Sequence, residues 1–260
     1  FYKALAQGQQ SLPQVAAGER GDIFFTDKQG NRHTAGTTRK VPFVFVTPLE
    51  VENQEQTTKV LASILEVSKE FVSKQLSHDE SLFEVIKKRV SNEEAKQIAD
   101  LELPGVYVKE ENVRFYPFST LASHVLGFIN QDWQGQYGIE KHYDKHLRGK
   151  EGLERTLQSV AGYLFGGSQD TLEHGKDLQL TIDFNIQSAA EALLNQAAED
   201  LKITEGTIIV MEPDTGKILA LANHPTFDPN SFSSITNIGI FKNPAVQDIY
   251  EPGSVFKPLT

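Results

Sequence analysis

The chain has no cysteine, and only one methionine and one tryptophan, in 260 residues. Without cysteine there is neither a disulfide framework nor a thiolate metal site, so stability has to come from packed apolar cores. The same absence leaves the compartment open, because large exported bacterial proteins often lack disulfides too. No apolar run approaches the roughly 18 residues needed to span a bilayer. Clusters of lysine and arginine are missing as well. With 35 acidic against 25 basic residues the formal net charge is -10, which argues against a polyanion-binding surface and against nucleic acid as a partner. What is present, 39% hydrophobic and 23% charged residues, suits one large or two modest globular cores rather than disorder.

The first two thirds read as a mixed α+β domain. Residues 20–25 form a strand ended by the turn Asp27-Lys28-Gln29-Gly30, and residues 41–47 a second β-rich run whose Pro42 suits an edge or a strand start. Residues 53–100 read as helical. Val60, Leu61, Ile64 and Leu65 share one face, and Leu82, Phe83, Val85, Ile86 and Val90 another with wider scatter. Ser91-Asn92-Glu93-Glu94 fits a capping box, and Leu103-Pro104-Gly105 stops the helical region. Residues 106–108 and 112–116 read as strands. Glycines from Gly127 to Gly152 suggest tight turns around a short helix carrying Ile139, Tyr143 and Leu147. His142 and His146 stand four apart on that helix, a spacing that can chelate a metal. No third ligand is specified and Lys141 and Lys145 repel a cation, so no metal and no cofactor is expected. Residues 152–160 read as a further strand.

Composition shifts at Glu173-His174-Gly175-Lys176, the expected domain boundary. Beyond it Leu178, Leu180 and Ile182 alternate, and Asp183 can cap a helix whose apolar positions, from Ile186 to Leu201, repeat at three and four. Residues 206–211 and 217–222 flank Glu212-Pro213-Asp214-Thr215-Gly216. That is a β-hairpin whose near-continuous apolar arms suit a sheet covered by the helix. Asp214-Thr215-Gly216 has the form of an aspartic-protease loop, but Pro213 and Lys217 on either side make a turn the simpler reading. Residues 225–249, rich in Asn, Ser, Phe and Pro, read as a loop region wrapping one side of a site.

The chemistry concentrates at Ser254-Val255-Phe256-Lys257, which follows Tyr250-Glu251-Pro252-Gly253. If Pro252-Gly253 make a turn and a helix opens at Ser254, the hydroxyl and the Lys257 amine share a face one turn apart. The helix N-terminus then favours a developing alkoxide, and a buried Lys is pushed toward its neutral, proton-accepting form. Alone the spacing is weak, since Ser-x-x-Lys arises roughly once per 250 residues by chance. Here no other Ser has a Lys three positions on, and this one follows a turn dipeptide. Ser254 and Lys257 are therefore the candidate nucleophile and base of a serine acylation.

These residues resemble class B penicillin-binding proteins, the peptidoglycan D,D-transpeptidases. Tyr250-Glu251-Pro252-Gly253-Ser254-Val255-Phe256-Lys257-Pro258 is similar to the first active-site motif of that family. Arg20-Gly21-Asp22-Ile23, Leu103-Pro104-Gly105-Val106, Arg114-Phe115-Tyr116-Pro117, His124-Val125-Leu126-Gly127-Phe128 and Gly138-Ile139-Glu140 are similar, in order, to its N-terminal pedestal. Leu180-Thr181-Ile182-Asp183 and Thr215-Gly216-Lys217-Ile218-Leu219-Ala220 look like the entry to its transpeptidase domain. One departure is Asp27-Lys28-Gln29-Gly30, where the family usually has Asp-Arg-Asn-Gly.

The resemblance implies an α+β chain in three parts. Residues 1–19 would be a linker after a missing membrane anchor. Residues 20–176 would be an elongated pedestal, or dimerisation, domain able to fold on its own, and residues 177–260 the truncated start of a penicillin-binding/β-lactamase-like transpeptidase domain of helix plus antiparallel sheet. It further implies a single-pass protein on the outer face of the cell membrane. Ser254 would attack the D-Ala-D-Ala carbonyl of a stem peptide, with Lys257 as base, and β-lactams would acylate the same Ser. A membrane glycosyltransferase and other cell-wall synthesis proteins are the partners implied. The family's Ser-x-Asn and Lys-Thr/Ser-Gly motifs do not occur here, so a fragment without activity of its own is expected. Two other readings stay open: a non-catalytic pedestal that docks cell-wall partners, and a β-lactam sensor or β-lactamase relative. The spacing Gly135 to Gly138 with Phe128-Ile129-Asn130 leans toward the division branch of the family over the elongation branch.

Overall fold

Helix and strand are mixed throughout the computed structural model, which describes residues 14–78, 80–149, 151–154 and 173–251 with Gly253, Ser254 and Lys257. The chain divides into two compact units, residues 39–113 and the remainder.

After β1 (Gln14–Ala17), strand β2 (Ile23–Thr26) buries Ile23 and Phe25 on one face, as its alternation predicts. Asp27 closes the turn to the next strand by accepting from the N–H groups of Gln29 and Asn31, and Gly30 takes the left-handed conformation at φ +84°. β3 (Arg32–Val46) then runs for 15 residues, so the run expected at 41–47 is its distal end. Pro42, expected at an edge or strand start, lies inside it. It falls between the stretch paired with β2, from Arg32 to Gly36, and the stretch from Val44 to Val46 paired with a later strand. Neither of those two ladders needs the N–H that proline lacks.

The unit of residues 39–113 contains α1 (Gln54–Ile64), α2 (Lys69–Leu76), β4 (Glu84–Lys87) and α3 (Asn92–Asp100). β5 (Val106–Phe115), which merges the two strands expected there, pairs with β3. Asn53, Ser68 and Ser91 cap the three helices through their side chains, and Ser91 with Glu94 completes the expected capping box. The core is Val44, Val46, Leu61, Leu65, Val72, Leu76, Ile86, Val90 and Ile98. The helical reading of Leu82 to Ile86 is corrected here: residues 84–87 are a strand antiparallel to β3. β-Branched Val85 and Ile86 favour a pleated surface, and Phe83 lays its ring 4.7 Å from that of Phe45 on β3.

In the other unit, α4 (Ser123–Leu126) leads into the two-residue pair β6 (Phe128–Ile129) and β7 (Gly135–Gln136). The single helix expected around Tyr143 is broken there, at ψ 19°, into α5 (Gly138–His142) and α6 (Asp144–Leu147). His142 and His146 therefore stand on different helices. Gly138 is required: its φ is +46° and a Cβ would lie 2.3 Å from Val125 O. β8 (Glu151–Glu154) pairs with β1, and the rest of the strand expected to residue 160 lies outside the described residues.

Strand β9 (Leu178–Asp183) runs parallel beside β2. Its Ile182 joins Ile23, Phe25, Leu126, Phe128, Leu147, Phe227 and Phe241 in one core. Each such side chain contributes roughly 1.5–3 kcal/mol by leaving water. Asp183 caps α7 (Phe184–Leu201) by accepting from Asn185 and Ile186, as expected. The helix lays Ala190 and Leu194 on the hairpin of β10 (Gly206–Met211) and β11 (Ile218–His224). Fully buried Gln187 pairs with Leu221 through both N–H and carbonyl, at 2.8 and 2.9 Å, and so satisfies a strand edge with a helix side chain. Among the described residues no helix is long and apolar enough to cross a membrane.

Candidate active site

The path to Ser254 starts in a buried ion cluster. Glu140 is fully buried in α5, with Arg20 and Arg114 converging on its two oxygens. Arg20 reaches Oε2 through Nε at 2.9 Å and Nη2 at 2.5 Å, and Arg114 Nε reaches Oε1 at 2.8 Å. Asp144 takes the remaining Nη1 of Arg20 at 2.9 Å, and Arg114 Nη1 donates to Gly21 O. The Tyr116 hydroxyl donates to Glu140 at 3.2 Å. Burial pushes the Tyr116 phenol well above its ordinary value, and the Glu140 charge adds to the effect. Charges this deep persist only when paired, and although Arg114 Nη2 is left without a hydrogen-bond partner among the described residues, the ion pairs fix several chain segments to one another.

Tyr116 is also the first tie to the segment before Ser254. Asn230 brackets its backbone, accepting from the N–H at 2.9 Å and donating to the carbonyl at 3.0 Å. Ser123 Oγ meets Thr226 Oγ1 at 2.8 Å, and His124 Nε2 donates to Ile240 O at 2.9 Å. Burial holds the His124 pKa below its ordinary value, which favours the neutral donor ring. The Ala122 N–H donates to Glu191 on α7 at 2.6 Å, and burial raises the pKa of that carboxyl. Phe128, Phe227, Phe232 and Phe241 interleave beside these ties, with centroids 4.4 to 6.1 Å from Phe128. Residues 225–249, expected to be a loop, are thus a chain of short turns that includes α8 (Pro244–Gln247).

Beyond that segment Gly253 takes φ +57°, and Gly253 and Ser254 lie in a 3-10 turn with Ser254 exposed. Lys257 is also exposed in 3-10 conformation. The turn and helix expected from Pro252 to Lys257 include Pro252, Val255 and Phe256, which lie outside the described residues. The sequence singled out Ser254 and Lys257 but gave Arg20, Arg114, Tyr116, His124 and Glu140 no role. Their signal was present, since each stands in one of the motifs that carried the family resemblance.

Two family models match the chain. Residues 15–180 match the penicillin-binding protein dimerisation domain, and residues 206–260 the penicillin-binding protein transpeptidase domain. Stage V sporulation protein D of Bacillus subtilis is 36% identical over 247 residues, 93% of this chain and 38% of that protein. Peptidoglycan D,D-transpeptidase FtsI of Escherichia coli is 32% identical over 203 residues, 77% of this chain and 34% of that protein. The chain thus spans little more than a third of the length of these relatives. Penicillin Binding Protein 2X from Streptococcus thermophilus shares the fold, with a TM-score of 0.58 at 20% identity over 87% of this chain and 37% of that one.

Proposed function

The chain belongs to the class B penicillin-binding proteins, and we propose that the whole protein is a peptidoglycan D,D-transpeptidase acting through a Ser254 acyl-enzyme. The observation that carries this reading is the placement of Ser254. It is exposed beside a left-handed Gly253, three positions before Lys257, inside the stretch that matches the transpeptidase model. Lys257 takes the hydroxyl proton as Ser254 Oγ attacks the penultimate D-Ala carbonyl of a stem peptide. The tetrahedral oxyanion is held by the Ser254 N–H with a second donor from the rest of the domain. Its collapse breaks the peptide bond, and the leaving D-Ala amine takes up the proton that Lys257 had accepted. An amine of a neighbouring strand then attacks the ester, forming the cross-link as one of its own protons passes to the departing Ser254 Oγ. A β-lactam follows the first half of this path and stays on the serine.

In this reading residues 20–176 are the pedestal and residues 177–260 the start of the transpeptidase domain. The protein works at the outer face of the cell membrane, held by a single span, beside a membrane glycosyltransferase. No cofactor is needed, since both proton transfers are met by side chains. The test is labelling of the whole protein with a fluorescent penicillin. Ser254→Ala is expected to abolish the covalent band and Lys257→Ala to slow its appearance on the order of 1,000-fold or more, because nucleophile and base act as a unit. An undiminished band in Ser254→Ala contradicts the reading.

A further inference from the structure

His124 is nearly buried at the start of the core, yet the acylation chemistry has no use for it. Its ring nitrogen Nε2 meets a backbone carbonyl, Ile240 O, and its ring stands edge-on to Phe227 at 5.2 Å. Facing a carbonyl, Nε2 has to carry the hydrogen, so the imidazole acts here as a fixed donor.

What it holds is a block of chain. Residues Ile238–Phe241 form a 3-10 turn capped by Asn237, and Lys242 N donates back to Gly239 O at 3.1 Å. Asn243 then caps α8, Asp248 N closes on Pro244 O at 3.2 Å, and Lys242 pairs with Asp248. The segment from Ile238 to Asp248 is thereby knit by a series of local hydrogen bonds. Among the described residues, side-chain hydrogen bonds fasten the block outward at two points. One is His124 on Ile240. The other is Asn243, whose Oδ1 accepts from Asn223 Nδ2 at 3.0 Å, while Asn223 accepts from Thr207 across the hairpin at 2.7 Å. Phe241 anchors it in the aromatic core between these points. Only residues 249–253 separate the block from Ser254, and of these Ile249, Tyr250, Glu251 and Gly253 are exposed.

We propose that His124 is a positioning residue for Ser254: its Nε2–H holds Ile240, and through it the block Ile238–Asp248 that sets where the Ser254 turn begins. The inference rests on Ser254 as the nucleophile. Releasing Ile240 leaves the block held by Phe241 and the Asn243 tie and able to turn about them, and displacement of a nucleophile by about 1 Å costs on the order of 100-fold in rate.

The test is made in the whole protein, with the penicillin acylation rate at saturation separated from the affinity of the first, non-covalent step. Glutamine and asparagine place the same amide at the two ring-nitrogen positions, and only glutamine reaches Ile240 O. His124→Gln is expected to stay within about threefold of the parent, and His124→Asn to lose on the order of 10- to 100-fold in the saturated rate with unchanged first-step affinity. Should His124→Asn fail to fold, His124→Phe, which keeps the ring against Phe227, takes its place and is expected to show the same loss. Equal rates for the glutamine and asparagine variants overturn the proposal, as does a loss that only follows the fall in melting temperature. Ser254→Ala is run beside them. If it still labels, the nucleophile assignment fails, whereas a silent Ser254→Ala with a fully active His124→Asn sinks the positioning role alone.

Discussion

Glu140 is the residue on which most depends, because one carboxylate answers two buried guanidinium groups and a phenol. Glu140→Gln keeps the shape but leaves Arg114 facing a neutral amide and Arg20 with Asp144 as its remaining carboxylate. Breaking a buried pair by removing one partner costs about 3–5 kcal/mol, and the loss is expected as a lower urea midpoint with an unchanged slope. A shift below about 1 kcal/mol would mean that water reaches the cluster. The motifs marked these residues, but their pairing was not legible in the sequence. Arg20, Arg114 and Glu140 are separated by up to 120 positions, and a lone charged residue reads by default as surface. Ser254 and Lys257 were legible because their chemistry is local, three positions apart behind a turn.

Elements were readable where one rule governed them. Asp183 and the three-and-four repeat gave α7, and Ser91 with Glu94 gave the start of α3. Residues 82–87 misled because a short apolar run satisfies helical and strand periods alike, and the arbiter is a partner strand lying some 40 residues earlier in the chain. The long β3 hid for the same reason, since its two halves pair with different strands. The turn between β2 and β3 carries a pH prediction. Hydrogen bonds from Asn31, then smaller ones from His33 and Gln29, hold the Asp27 pKa down to about 2. A depressed carboxylate contributes stability that is full above its unfolded value near 4 and lost as pH falls through about 2. Amide exchange at Gln29 and Asn31 is therefore expected to accelerate, relative to intrinsic rates, between about pH 4 and pH 2. Protection unchanged across that range would show that the turn does not need the charge.

At the scale of the whole molecule the cores set what can stand alone. Residues 39–113 enclose a core of three capped helices against strands, all drawn from within the unit. Expressed alone, that unit is expected to melt in one cooperative transition; a non-cooperative product would mean that its core is completed from outside. The boundary proposed at residue 176 falls just before β9, whose Ile182 packs in the same core as Ile23 and Phe25. A piece ending there leaves those two residues short of cover, although family resemblance and composition both mark the place. Packing of this kind is invisible to a sequence reading that looks for polar joints, because a parallel pairing such as β2 with β9 joins residues some 150 positions apart.

The central claim is that Ser254 is the acylated residue. Its most direct test is mass spectrometry of the whole protein after incubation with benzylpenicillin, followed by mapping of the modified peptide. The account predicts a single adduct with the mass of the intact drug, on the peptide containing Ser254 and on that residue within it. An adduct on another serine, or none from a folded protein, would contradict it.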